Sequence, residues 1–137
     1  QGSVLLTKQF RLPTFINGNE SGMMIEVCAG LLDEDAPAAC IKRETEEETG
    51  YRIDEVTKVM EAYMSPGSVT EILYLFVGEY QAHQKVSEGG GVEEETEDIE
   101  VLEVSLTQAL DMVKSGEIKD AKTIMLLQYA QLEKLLS

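Results

Sequence analysis

The chain has 137 residues, of which 43% are hydrophobic, with 11 Lys and Arg against 26 Asp and Glu, for a formal net charge of −15. That length is one domain's worth and enough to bury a core. The charge repels phosphate backbones and anionic lipid, so we expect no nucleic-acid partner and no membrane attachment, whereas divalent cations are attracted.

In chain order, Ser3 to Phe10 and Met23 to Cys28 read as strands, separated by the turn-forming stretch Asn17 to Gly22. A helix is predicted from Pro37 to Thr49, because proline suits a first helical turn and Gly50 supplies a left-handed end. Val56 to Met64 and Thr70 to Tyr80 follow as strands around a Ser65-Pro66-Gly67 turn. Ser87 to Asp98 reads as an acidic, Gly-rich loop and Ile99 to Val104 as a strand. Ser105 to Gln108 has the pattern of a capping box and opens a helix ending near Gly116. A last helix runs from Ala121 to Leu136 behind an Asp120 cap. Strands on both sides of a first helix, with two more helices after them, predict an α+β fold: a mixed β-sheet packed between helices, an α/β/α sandwich.

Cys28 and Cys40 lack metal-site spacing and read as buried free thiols in a reducing cytosol, which places the chain in the cytoplasm. Arg43-Glu44-Thr45-Glu46-Glu47-Glu48-Thr49-Gly50 is the informative segment. Four glutamates within five residues occupy the last turns of the predicted helix, where the macrodipole favours cations. At about 100° per residue, Glu44 and Glu48 fall roughly 60° and 20° to one side of Ile41, bordering the inward face. Glu46 points to solvent, and Glu47 lies on the flank, four residues after Arg43 and able to pair with it. Burying two carboxylates is costly without a positive charge between them. Oxygen ligands one turn apart suit a hard cation, Mg²⁺ or Mn²⁺. A solvated acidic helix end is the plain alternative, and an EF-hand is excluded because Asp33-Glu34-Asp35 lacks that loop's alternating ligands.

Ala29-Gly30-Leu31-Leu32-Asp33, followed by Arg43 to Tyr51, resembles the Nudix box, in which Gly, five residues, Glu and seven residues precede REUXEEXGU. Thr45 stands at an ordinarily apolar position. The chain is one residue short between Gly30 and Arg43, which puts Asp35 at the first acidic position. The resemblance continues through Gln9-Phe10-Arg11, Asn17 to Gly22, Ser65-Pro66-Gly67 with Glu71, and Gly89-Gly90-Gly91-Val92 running into Glu97 to Val101. Over nearly the whole chain it is similar to the nucleoside diphosphate sugar branch of the superfamily, the GDP-mannose hydrolases first and the ADP-ribose pyrophosphatases next.

That resemblance implies one Nudix catalytic domain over residues 1–137; relatives carry an additional N-terminal β segment exchanged in a homodimer, which either this protein lacks or a 137-residue fragment is missing. It implies Mg²⁺-dependent hydrolysis of a nucleotide-sugar, with Mn²⁺ as a substitute: GDP-mannose to GMP and mannose 1-phosphate, or alternatively ADP-ribose. It assigns the metal to Glu44 and Glu48, with Glu47, the Ala29 carbonyl and Glu97 assisting, and has Arg43 orient the glutamates. Arg11 then contacts the diphosphate, and Ser65, Gly67 and Glu71 lie near the substrate and the subunit interface. Glu95 matches the general base, with Glu93 and Glu94 close enough to leave the register open. A non-catalytic acidic module that binds metal or a basic partner is the alternative of another class.

Overall fold

The structure is a computed structural model and describes residues 2–29, 36–91 and 98–136. It divides into two compact units, one made of Gln1–Val27 and Gly90–Ser137, the other of Cys28–Gly89.

In the first unit, strands β1 (Ser3–Phe10), β2 (Met23–Glu26) and β5 (Glu100–Ser105) form an antiparallel sheet in the order β2-β1-β5. The register pairs Ser3 with Ser105 at one end and Phe10 with Met23 at the other. Helices α3 (Leu106–Ser115) and α4 (Ala121–Leu132) supply the other side of the core. Leu6, Ile25, Ala109, Ile118 and Leu127 are buried together there, with Val4, Leu102, Val104, Val113 and Ile124 packed around them. Both predicted caps form: Ser105 Oγ accepts from Gln108 N at 3.0 Å, and Asp120 Oδ2 from Thr123 N at 3.2 Å. Each satisfies an amide that the first helical turn leaves without an intrahelical partner.

A short helix that the sequence pattern did not mark, α1 (Leu12–Ile16), leaves β1 directly. It buries none of its residues, so it carries no amphipathic signal. The predicted α4 runs to Leu136, but the helix closes at Leu132. Lys134 turns to φ 53°, a left-handed conformation that stops the helix although the apolar pattern continues.

The second unit holds α2 (Pro37–Thr49) and a β3–β4 hairpin, β3 (Thr57–Tyr63) and β4 (Ile72–Val77), also antiparallel. Every strand pair among the described residues is antiparallel, in two sheets of three and two strands. Mixed helices and antiparallel sheets make the α+β class that the sequence predicts. After β4 the chain returns along the end of α2: Arg52 N donates to Gln84 O at 2.9 Å and Val86 N to Gly50 O at 2.7 Å.

Candidate active site

Helix α2 spans the predicted residues and ends as its sequence dictates, with Pro37 in its first turn and Gly50 at φ 84° closing it. A side chain on Gly50 would meet the Ser87 carbonyl at 2.1 Å, so glycine is required there by crowding as well as by φ. Gly89, at φ 75°, is constrained in the same way: an added Cβ would lie 2.6 Å from the Glu48 carbonyl. The first glycine of the Gly89-Gly90-Gly91 run is thus a close-approach residue that seats the start of the acidic loop on the backbone of the box helix.

Two threonines occupy the inward flank of α2 by turning their hydroxyls onto the preceding turn. Thr45 Oγ1 donates to Ile41 O at 2.7 Å and Thr49 Oγ1 to Thr45 O at 2.6 Å. Back-bonding of this kind lets a polar side chain stand in an apolar position. Thr45 departs from the box pattern in residue type while leaving the helix intact.

The glutamates divide as the angular spacing predicts. Glu48 is 2% exposed and the Glu44 side chain 14%, one turn apart. Glu46 is outside and holds Arg52 through two hydrogen bonds of 3.0 and 3.3 Å. Glu47 is half-buried. The expected pairing of Glu47 with Arg43 does not form: the Arg43 guanidinium turns back, to 3.9 Å from Glu44 Oε1 and 3.8 Å from Cys40 Sγ. Cys28, beside Ala29, reports the local field. Burial, then the charge of Glu48, and in smaller measure that of Glu44, push its thiol up to about 12. A thiol in such surroundings stays protonated and unreactive. Both cysteines are free; Cys40 is buried and Cys28 half-buried.

In the first unit, Arg11 sits at the junction of β1 and α1, its backbone N–H donating to Gly22 O at 2.7 Å. Its side chain is 44% exposed and grips Glu26 with two bonds, Nε to Oε2 at 2.7 Å and Nη2 to Oε1 at 3.1 Å. Glu26 is 4% exposed and also receives Lys122 Nζ at 2.8 Å. Burial alone would raise the Glu26 carboxyl, but hydrogen bonds and charge from Arg11 and Lys122 outweigh it and hold the group below the usual carboxylate range. Burial likewise opposes the charge on Lys122, and Glu26 with Asp120 more than restores it. Neither Glu26 nor Lys122 is marked by sequence reasoning. The available signal was a lone carboxylate inside the apolar run from Met23 to Cys28.

Ser65, Gly67 and Glu71 are exposed in the β3–β4 connection, where Ser65 O accepts from Ser68 N at 3.1 Å and Val69 N at 2.9 Å. Gly30, Asp33 and Asp35 of the box, and Glu93, Glu94, Glu95 and Glu97 of the acidic loop, lie outside the described residues. Among the described residues no three His, Cys, Asp or Glu side chains are grouped to hold a metal ion. The donor chemistry of Glu44 and Glu48 nonetheless fits one. A buried and a half-buried carboxylate one turn apart, whose charge is still felt at Cys28, are hard oxygen donors of the kind that magnesium takes one or two at a time, completing its shell with water and phosphate oxygens.

The NUDIX domain family model matches residues 1–127. The chain belongs to the Nudix family. Its curated Nudix relatives include the GDP-mannose pyrophosphatase of Yersinia enterocolitica, 59% identical over 135 residues, 98% of this chain and 70% of that protein. The protein of the same name from Yersinia pestis strain Pestoides F is 60% identical over 132 residues, 96% of this chain and 66% of the relative. That from Shigella flexneri serotype 5b is 56% identical over 134 residues, 98% and 69%. This Nudix chain therefore spans about two thirds of the length of the relatives it matches. No helix among the described residues is long and apolar enough to cross a membrane.

Proposed function

We propose that the chain is a Nudix pyrophosphohydrolase that cleaves GDP-mannose to GMP and mannose 1-phosphate. One observation carries this reading: a pair of inward-lying carboxylates one turn apart on α2, Glu48 buried and Glu44 half-buried, in a Nudix chain 56–60% identical to proteins named GDP-mannose pyrophosphatase. Glu44 and Glu48 hold Mg²⁺, or Mn²⁺ in its place, with Glu47, the Ala29 carbonyl and Glu97 assisting. When bound, the cation neutralises diphosphate charge and acidifies water. Arg43 orients the box carboxylates. Arg11 takes the diphosphate by charge-assisted hydrogen bonds, which strengthen as charge develops on the leaving oxygen. Glu95 removes the proton of the attacking water; that water bonds to one phosphorus as the bridging P–O bond breaks. Ser65, Gly67 and Glu71 border the substrate and a homodimer interface.

We further propose a single Nudix domain over residues 1–137, working in the cytoplasm. Two free cysteines and a charge of −15 support that compartment and argue against nucleic-acid or membrane partners. Incubating the chain with GDP-mannose or ADP-ribose and Mg²⁺, and separating the products by ion exchange, tests the assignment. GMP and mannose 1-phosphate are expected. A preference for ADP-ribose would move the chain to the neighbouring activity, and no turnover of either by folded protein would favour a non-catalytic metal-binding module.

A further inference from the structure

Glu26 is out of place as a structural residue. The end of β2 is already held to β1 by backbone pairing, Thr7 with Glu26 and Lys8 with Ile25, so strand register does not require an ion pair. A buried carboxylate is costly there, and two cations are needed to stabilise it. One of them, Lys122, comes from 96 residues away and is braced in turn by Asp120 Oδ2 at 3.0 Å. The same Asp120 oxygen accepts from Thr123 Oγ1 at 2.6 Å, and Thr123 Oγ1 accepts from Val27 N at 2.9 Å. The carboxylate is thus fixed at both of its oxygens, by Arg11 from the end of β1 and by Lys122 from α4. Among the described residues its solvent-facing partner is the guanidinium of Arg11.

We propose that Glu26 is a positioning residue for substrate binding: its carboxylate, locked by Lys122, fixes the plane and reach of the Arg11 guanidinium. The proposal rests on the reading that Arg11 meets the diphosphate. A half-exposed arginine on its own samples many rotamers, and ordering it on binding costs affinity. Held through Nε and Nη2 in a fork against a buried carboxylate, it is ordered before the substrate arrives. A carboxylate next to a phosphate contact also adds unwanted negative charge. Lys122 on the same oxygen atom as Arg11 Nη2 offsets it, which explains why a second cation is recruited from so far along the chain.

The test is steady-state hydrolysis of GDP-mannose with Mg²⁺ by E26Q, R11A and the double variant, at a temperature where circular dichroism shows each to be folded. Glu26→Gln is expected to raise KM about 10- to 100-fold, as misplacement of a binding group does, and to add no further increase in the R11A background. A purely structural Glu26 leaves the KM of folded molecules unchanged, and that result overturns the proposal. So does an equal rise in KM in both backgrounds. An R11A variant with wild-type KM and kcat instead removes the reading of Arg11 as a diphosphate contact. Should E26Q not fold, Glu26→Asp keeps the charge but shortens the arm; a smaller rise in KM that vanishes in the R11A background is then expected, and its persistence there counts against the proposal.

Discussion

Two glutamates are buried to nearly the same degree, Glu26 at 4% and Glu48 at 2%, in opposite surroundings. Glu26 is met by Arg11 and Lys122, and its carboxyl is held below the ordinary range. Glu48 shares a helix flank with Glu44, and their charge carries through to the Cys28 thiol, which it helps drive up to about 12. The first is a completed ion cluster whose countercharges are covalent parts of the chain. The second stands one turn from a like charge on the same helix. Burial alone does not tell the two carboxylates apart; the groups placed around them do.

The largest expected effect tests the functional half of that contrast. Glu48→Gln should lower kcat/KM by about 10²- to 10⁴-fold, since a metal contributes several kcal/mol of transition-state stabilisation. It should leave the fold intact; a variant of wild-type activity would end the metal assignment. Glu26→Ala should do the reverse to stability. It leaves two cations without their shared partner and should cost about 2–3 kcal/mol in denaturant unfolding, a figure discounted from the buried-pair range because Arg11 is half-exposed.

Backbone crowding predicts the next step down. Gly89→Ala places a Cβ on the Glu48 carbonyl at positive φ and should cost about 1–3 kcal/mol, read as a lower melting temperature. Magnesium should raise the melting temperature of the wild type by native-state binding, and should do so far less for the Glu48→Gln variant. Acid titration gives the smallest and most specific effect. The Glu26 carboxyl is depressed in the fold, so its contribution is present above about pH 4.5, the ordinary glutamate value, and fades as pH falls through the folded-state value. Lys122 is raised, so its share is present below its ordinary value and lost only as pH climbs through the elevated one. The acid limb of a stability profile should therefore flatten in Glu26→Gln.

How much of this was legible in the sequence follows from the range of each interaction. Helix α2 was readable to the residue because Pro37 and Gly50 are local signals, and the inward lean of Glu44 and Glu48 followed from helical spacing alone. Helix α1 was not readable, since five residues with no buried member carry no period. The i, i+4 spacing makes an Arg43–Glu47 pair possible, but spacing alone does not decide where a long side chain turns, and Arg43 lies instead near Glu44 and Cys40. Glu26 was invisible for a different reason. Its partners lie 15 and 96 residues away, and no local pattern announces a contact of that span.

That span also orders the events of synthesis. The Cys28–Gly89 unit is contiguous, and its described strands and helix have all been made once residue 89 has emerged. The other unit pairs Ser3 with Ser105 and ties Glu26 to Lys122, so β1 and β2 must wait, unpaired with β5 and with the Glu26 carboxylate lacking its lysine, until α4 has been made. Long-range closure of this kind is slow and leaves strand edges exposed meanwhile. The arrangement that fixes Arg11 in the finished protein is thus among the last to form on the ribosome, and the nascent chain is most vulnerable to mispairing at the segment that will carry it.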